Sequence, residues 1–317
     1  MRHTRREFIA AVAVPLVSGA ATATGRARQK SGTRLILLGT QGGPGVRVGG
    51  KRTGPSTLLL IDDVPYVVDC GSGATRQLVA AGVALRRLRY LFFTHLHSDH
   101  MLEYGPIFYN AWVTGLNHRV DAYGPPPLKE TTRAFWDYMK FDVDTRVADE
   151  GRSDPRPLLV ANELRTPGLV MQNDAVKVTS ASVVHPPIKH AFAFRFDAKD
   201  RSIVISGDTN YAPGVITLAK GADVLVHEVL HLPGVDRIVA QVPNAATLRK
   251  HIIDSHTTSE DAGRVAAQAG VEDARAVAFC AGSRSEHHRG HVDRRRTQAL
   301  PGRDHRRQGF AGDLTAT

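Results

Sequence analysis

The sequence predicts an α/β protein built as a four-layer αββα sandwich, and three observations lead there. Short apolar runs fall into two separate series along the chain, and each series is followed by segments of helical pattern. Two such halves suggest two sheets packed face to face with helices outside. The third observation is length: 317 residues suffice to bury one large core or two small ones.

In the first series, Arg34 to Leu38 is an apolar run stopped by Gly39, which reads as a strand, and the Gly/Pro-rich stretch from Gly39 to Pro55 reads as a loop. Leu58–Ile61 and Tyr66–Val68 flank Asp62-Asp63 and predict a hairpin. Ser72 to Ala81 has a helical pattern, with Ser72 in the place of a cap and Gly82 as the stop. Tyr90 to Phe93 is a buried strand. In the second series Val176–Val184, Ala191–Phe196, Ser202–Ile205 and Val224–Val226 read as strands, and Ser259–Ala269 as a helix. Between the series, residues 101–174 carry mixed helical signals with Trp112, Tyr123, Phe135, Trp136 and Tyr138. These aromatics suit a core more often than the wall of a substrate pocket.

The formal net charge of +10 would suit a polyanion partner if it were spread over the folded body. It is not. Residues 1–30 carry a net +5 and residues 272–317 a net +3, which leaves +2 for residues 31–271. Nucleic acid is therefore not the favoured partner. The two cysteines, Cys70 and Cys280, are too few for a disulfide framework.

Residues 1–30 read as an export signal. Thr4-Arg5-Arg6-Glu7-Phe8-Ile9 precedes an uncharged apolar stretch to Ala23, and Ala21-Thr22-Ala23 supplies a small-x-small cleavage site. The segment resembles twin-arginine signals, which implies a periplasmic or secreted protein. It is too short for an ordinary membrane span, so no stable membrane insertion is expected after cleavage.

The chemistry is concentrated in His95-Leu96-His97-Ser98-Asp99-His100, directly after the Tyr90–Phe93 strand. Imidazole and carboxylate suit zinc and related divalent ions. In extended chain His95 and His97 project to one side, while Asp99 and His100 follow at the turn and can reach a second ion.

HxHxDH is the signature of the metallo-β-lactamase superfamily, and the sequence resembles that family over roughly residues 33–271. The resemblance implies the αββα fold with two zinc ions, and His185 and Asp208 complete a ligand set of His95, His97, Asp99, His100, His185 and Asp208. It also implies hydrolysis by a metal-activated water, with Asp99 orienting the nucleophile. Asp69-Cys70-Gly71-Ser72-Gly73, Ala222 to Glu228 and His256-Thr257-Thr258 resemble the ribonuclease Z and arylsulfatase-like branch. There His256 would act near the scissile bond; the alternative is a His that caps the helix from Ser259. Asp69 is a candidate partner for a ligand histidine, and His227 and Glu228 are expected to support the site rather than to ligate. The expected activity is an exported metal-dependent hydrolase of a phosphodiester, sulfate ester or similar small ester. A lactonase or β-lactamase-type hydrolase and an inactive metal-binding remnant are the alternatives.

Residues 272–317 break the pattern. They lack Lys, Ile, Tyr, Trp and Met and show no hydrophobic period, so they read as an aberrant, disordered tail. The superfamily's last ligand, a His after a strand, is expected just past Val271 and is missing. Read one base later, the codons of residues 272–281 permit Lys-Thr-Leu-Val-Leu-Ser-His-Phe-Val-Pro, which resembles the missing segment. A single-base insertion near Val271/Glu272 would explain both the tail and the missing ligand. His287, His288 and His291 have no setting that aims them inward.

Overall fold

The computed structural model describes residues 32–45, 52–242, 244–271 and 273–278. The signal-peptide reading of residues 1–30 and the tail from 279 onward lie outside the described residues. Each half of the chain forms one six-stranded sheet. The first has the order β1 (Arg34–Gly39), β2 (Ser56–Ile61), β3 (Val64–Val68), β4 (Tyr90–Phe92), β5 (Val120–Gly124), β6 (Leu159–Glu163). The second runs from β7 (Gly168–Gln172) through β8 (Val176–Ser182), β9 (Phe192–Ala198), β10 (Ser202–Ile205) and β11 (Val224–Val229) to β12 (Asp273–Ala278).

Strand periodicity explains the layers. In β2, Leu58 and Leu60 join the outer core of the first sheet while Leu59 and Ile61 enter the core between the sheets. In β10, Ile203 and Ile205 enter the inter-sheet core and Val204 faces the outer layer of the second. Strands buried on both faces read as unbroken apolar runs rather than as alternation.

The helices supply the outer layers: α1 (Ala74–Ala80), α2 (Ser98–Met101), α3 (Tyr104–Val113) and α4 (Leu128–Glu150) in the first half, and α5 (Pro213–Ala219), α6 (Leu232–Ala240), α7 (Leu248–Ser255) and α8 (Ser259–Ala269) in the second. Among the described residues no helix is long and apolar enough to cross a membrane.

The predicted hairpin is present. Asp62 and Asp63 adopt φ of 48° and 61°, the double positive φ of a two-residue turn that matches strand twist. Ser72 does not cap α1. Gly73 holds the cap position without a side-chain bond, and the Glu103 carboxylate accepts from Gly73 N and from Thr75 N. The cap thus comes from a residue 28 positions beyond Thr75, out of reach of a local pattern.

Three strands, β5, β6 and β7, arise in the segment read as mixed helical. Trp112 is buried and Phe135 packs on Gly105, as core aromatics do, but Tyr138 is 83% exposed. The boundary at residue 271 also shifts, because β12 adds a parallel edge strand beside β11, from Asp223–Asp273 contacts to Val229↔Ala278. The ladder needs only backbone groups, so it forms without a hydrophobic period.

Candidate metal centre

The chemical residues sit where strands end. Asp69 follows β3, His95 and His97 follow β4, and Asp99 and His100 lie in α2. His185 follows β8, Asp208 follows β10, and Glu228 stands near the end of β11. His256 joins α7 to α8. Asp208 depends on Gly207, whose φ is +61° and where a Cβ would come 2.6 Å from Thr94 Cβ.

Three imidazole nitrogens converge. His95 Nε2 and His185 Nε2 each lie 3.0 Å from His97 Nδ1. Burial pushes all three pKa values down, His185 to about 4, so the rings are neutral at pH 7. Their hydrogen bonds fix the tautomers. His185 Nδ1–H donates to Ser255 O at 2.9 Å. Thr94 Oγ1–H donates to Asp69 Oδ2 at 2.9 Å, so Oγ1 accepts from His95 Nδ1–H at 3.1 Å. The lone pairs of His95 and His185 are thereby turned to the common point.

His100 faces the other way across Asp208. Its Nδ1–H donates to Asp69 Oδ2 at 2.8 Å, and its Nε2 lies 3.1 Å from Asp208 Oδ1 and 3.7 Å from Asp99 Oδ2. Burial opposes charge on His100, yet Asp208 and Asp69 outweigh it and hold its pKa well above the usual range. Buried carboxylates around one imidazole call for positive charge. Asp208 Oδ1 is itself buried and faces that His100 nitrogen. A divalent cation between these groups fits both facts, as it fits three neutral imidazoles with converging lone pairs.

The groups whose ligand atoms could share an ion are His95/His97/His185, His95/His100/Asp208 and His185/Asp208/His256. Five of the six predicted ligands are thus brought together with His256. Asp99 stands at the border, its Oδ2 held by Gly43 N–H at 2.8 Å. His256 does not cap α8; Thr258 does, accepting from Asp261 N at 3.2 Å. Instead His256 Nδ1 meets Glu228 at 2.9 and 3.1 Å and lies 3.8 Å from Asp208 Oδ2. Burial would lower the His256 pKa, but Glu228 and Asp208 raise it to about 9.

Sequence reasoning named Asp69 as a partner of the histidines but missed Thr94 and Ser255. Thr94, immediately before His95, was open to suspicion; Ser255 acts through its backbone carbonyl, which no residue type announces.

This fold and this cluster define a metallo-hydrolase, and residues 49–260 match the family model described as Metallo-beta-lactamase superfamily. The chain belongs to that superfamily. Among curated relatives, ribonuclease Z of Mycobacterium avium is 34% identical over 224 residues, covering 70% of this chain and 78% of the relative. Two solved structures share the fold. YhfI from Bacillus subtilis has a TM-score of 0.57 at 19% identity, over 80% of this chain and 89% of its own. The short form of human tRNase Z has a TM-score of 0.57 at 20% identity, over 77% and 92%.

Proposed function

We propose that this chain is an exported, zinc-dependent hydrolase of a small phosphodiester or sulfate ester. The observation that carries the reading is the meeting of three neutral imidazole nitrogens with the Asp208–His100 pair, beside a histidine kept cationic by Glu228. His95, His97, His185 and Asp208 would hold one ion, and Asp99, His100 and Asp208 would contribute toward a second. When bound, such a cation lowers the pKa of a water ligand toward neutrality and offsets negative charge developing on the substrate.

The protein groups supply the rest. Asp69 and Thr94 keep the rings of His95 and His100 in their working tautomers. Asp99, at the border of the cluster, can orient the attacking water or take its proton. His256 carries a proton at pH 7 and can deliver it to a departing oxygen, with Glu228 steadying the ring.

The ribonuclease Z relatives support the phosphodiester as the bond class. The small net charge of residues 31–271 and the export-signal pattern of residues 1–30 support a small substrate over RNA.

The test is a panel on zinc-loaded protein: bis(p-nitrophenyl) phosphate, p-nitrophenyl sulfate, a homoserine lactone, a chromogenic β-lactam and an RNA bearing a 3′ extension. Turnover of the phosphodiester or the sulfate, lost in His97→Ala, is the expected result. Cleavage of RNA alone would overturn the small-ester reading, and turnover of the lactone or β-lactam alone would favour the alternative chemistry. No turnover at all would make the chain a metal-binding remnant. Export is tested separately by periplasmic fractionation of the chain and of its Arg5→Lys/Arg6→Lys variant, which should stay in the cytoplasm.

A further inference from the structure

The helix α4 (Leu128–Glu150) is the longest among the described residues, about 34 Å, yet only Leu128, Thr132 and Val143 are buried along it. Trp136, Met139 and Val147 complete the stripe that packs on the outer core of the first sheet. The opposite face carries a second stripe. Ala134, Tyr138, Phe141, Thr145 and Ala148 are all exposed, and their spacing alternates four and three residues. At about 100° per residue the two stripes lie about 180° apart.

Tyr138 is 83% and Phe141 86% exposed, the two most exposed large hydrophobic side chains among the described residues. Alternation of four and three is the spacing by which helices pair along their length. A helix whose only neighbour is its own core needs one apolar stripe, and α4 has two.

Charge decides which neighbour fits. Residues 128–139 carry no net charge and residues 140–150 carry −2. Two copies of α4 running in the same direction would set the acidic halves against each other. Running in opposite directions, each acidic half lies on a neutral half, and the helix dipoles attract. The flanks agree. Lys140 and Asp144 lie on one side of the stripe, where they form an ion pair within the helix. With the reversal centred between Phe141 and Asp142, each Lys140 also faces Asp144 of the second copy. Asp142, nearest the centre on the other flank, is already held by Arg146 and the Tyr109 hydroxyl.

The same reversal brings the two Phe141 rings together, lays each Tyr138 over Thr145 of the second copy, and lets the ends approach at Ala134 and Ala148. Four rings at this exposure offer about 500–850 Å². The small residues and the stems of the flanking charges extend that toward about 1,200 Å², the lower end for a stable interface.

We infer that the exposed face of α4 is the interface of a homodimer, two copies of this helix packed antiparallel with Tyr138 and Phe141 at the centre. The inference uses no property of the metal centre and stands apart from the proposed hydrolysis.

The test is sedimentation equilibrium of the full chain at micromolar concentration, where a dimer is expected. Phe141→Glu should raise the dissociation constant at least about thirtyfold, with zinc content and far-UV circular dichroism unchanged. Should that variant lose its circular dichroism, Tyr138→Ser/Phe141→Ser takes its place. Orientation is read by disulfide capture in a Cys280→Ser background, Cys70 being buried. Ala134→Cys chains mixed with Ala148→Cys chains should link, and neither should link to itself. A monomeric unaltered chain, a dimer that persists in the folded variant, or Ala134→Cys chains linked to themselves would overturn the inference. So would a monomer that sediments with phosphatidylglycerol vesicles through Phe141, which would assign the face to a membrane surface.

Discussion

The Asp69 carboxylate accepts a hydrogen bond from His100 Nδ1–H at 2.8 Å, and its two oxygens also accept from Thr94 N and Thr94 Oγ1, both at 2.9 Å. Because Thr94 Oγ1 in turn accepts from His95, one buried carboxylate orients imidazoles on both sides of Asp208. Asp69 holds a left-handed backbone with φ of 60°, a conformation that Asp tolerates better than most residues. Asp69→Ala should weaken zinc binding by about 10–100-fold, the usual cost of losing such a support, with Asp69→Asn intermediate. Competition with a chromophoric chelator measures it; an affinity within twofold of the unaltered chain would remove Asp69 from this role.

Gly207 sets the position of Asp208. With φ of +61° and Thr94 Cβ 2.6 Å from the place of a Cβ, Gly207→Ala meets both backbone strain and a clash. Gly221, with φ of +64° and open space around it, is the control, since Ala there meets strain alone. Gly221→Ala should cost about 1 kcal/mol. Gly207→Ala should cost more, of order 2–4 kcal/mol, and should also lower zinc occupancy. Equal denaturation midpoints for the two variants would contradict the packing at Gly207.

The part of the fold that could be read from sequence is the part held by runs of large apolar residues. β2, β3, β10 and α8 announce themselves through Leu58–Ile61, Tyr66–Val68, Ser202–Ile205 and the helical pattern of Ser259–Ala269. β5 and β6 do not, because Val-Asp-Ala-Tyr-Gly and Leu-Val-Ala-Asn-Glu are short and carry polar residues, β6 at the edge of the sheet and β5 next to it. β12 is fixed by a ladder of backbone bonds to β11, which any sequence free of Pro can form. The site divides the same way. His95, His97 and His100 stand close enough in sequence to be read as a unit. His185, Asp208 and His256 are single residues at strand or helix ends and become legible only through a family pattern. Glu228 stands beside His227 in the sequence with nothing to separate their roles, yet it faces His256 while His227 lies on the alternate face of the strand.

His227 gives the fold its own acid sensitivity. Burial lowers its pKa to about 4, and its Nε2 is buried with no hydrogen-bond partner among the described residues. Since the folded value lies below the ordinary 6.5, the unfolded chain binds more protons between those limits. This contribution to stability is therefore intact above about pH 6.5 and is lost as pH falls toward 4, amounting to at most about 3 kcal/mol. His227→Leu removes the titrating group and should flatten this part of the stability–pH curve, as read by urea midpoints from pH 4.5 to 7.5. An unchanged slope would show that His227 does not set it.

Zinc removal should destabilise the folded chain by mass action. At a free zinc concentration one hundredfold above the dissociation constant, binding contributes about 2.7 kcal/mol. Treatment with a strong chelator should lower the melting temperature by several degrees, restored by added zinc, and His97→Ala should show a much smaller response. Coincident melts with and without chelator in the unaltered chain would count against an ion in this cluster.

The two sheets come from contiguous halves of the chain, and the cluster draws on both: His95, His97 and His100 from the first, His185, Asp208 and His256 from the second. A direct bond also joins them, Phe192 N–H to Thr94 O at 2.9 Å. Two of the three groups that could share an ion draw ligands from both halves, so an ion bound in either of them acts as a rivet across the interface. It slows the parting of the halves while doing nothing to speed the formation of either. In stopped-flow experiments the ion should act almost wholly on the unfolding limb, giving the loaded protein a longer life rather than a quicker birth.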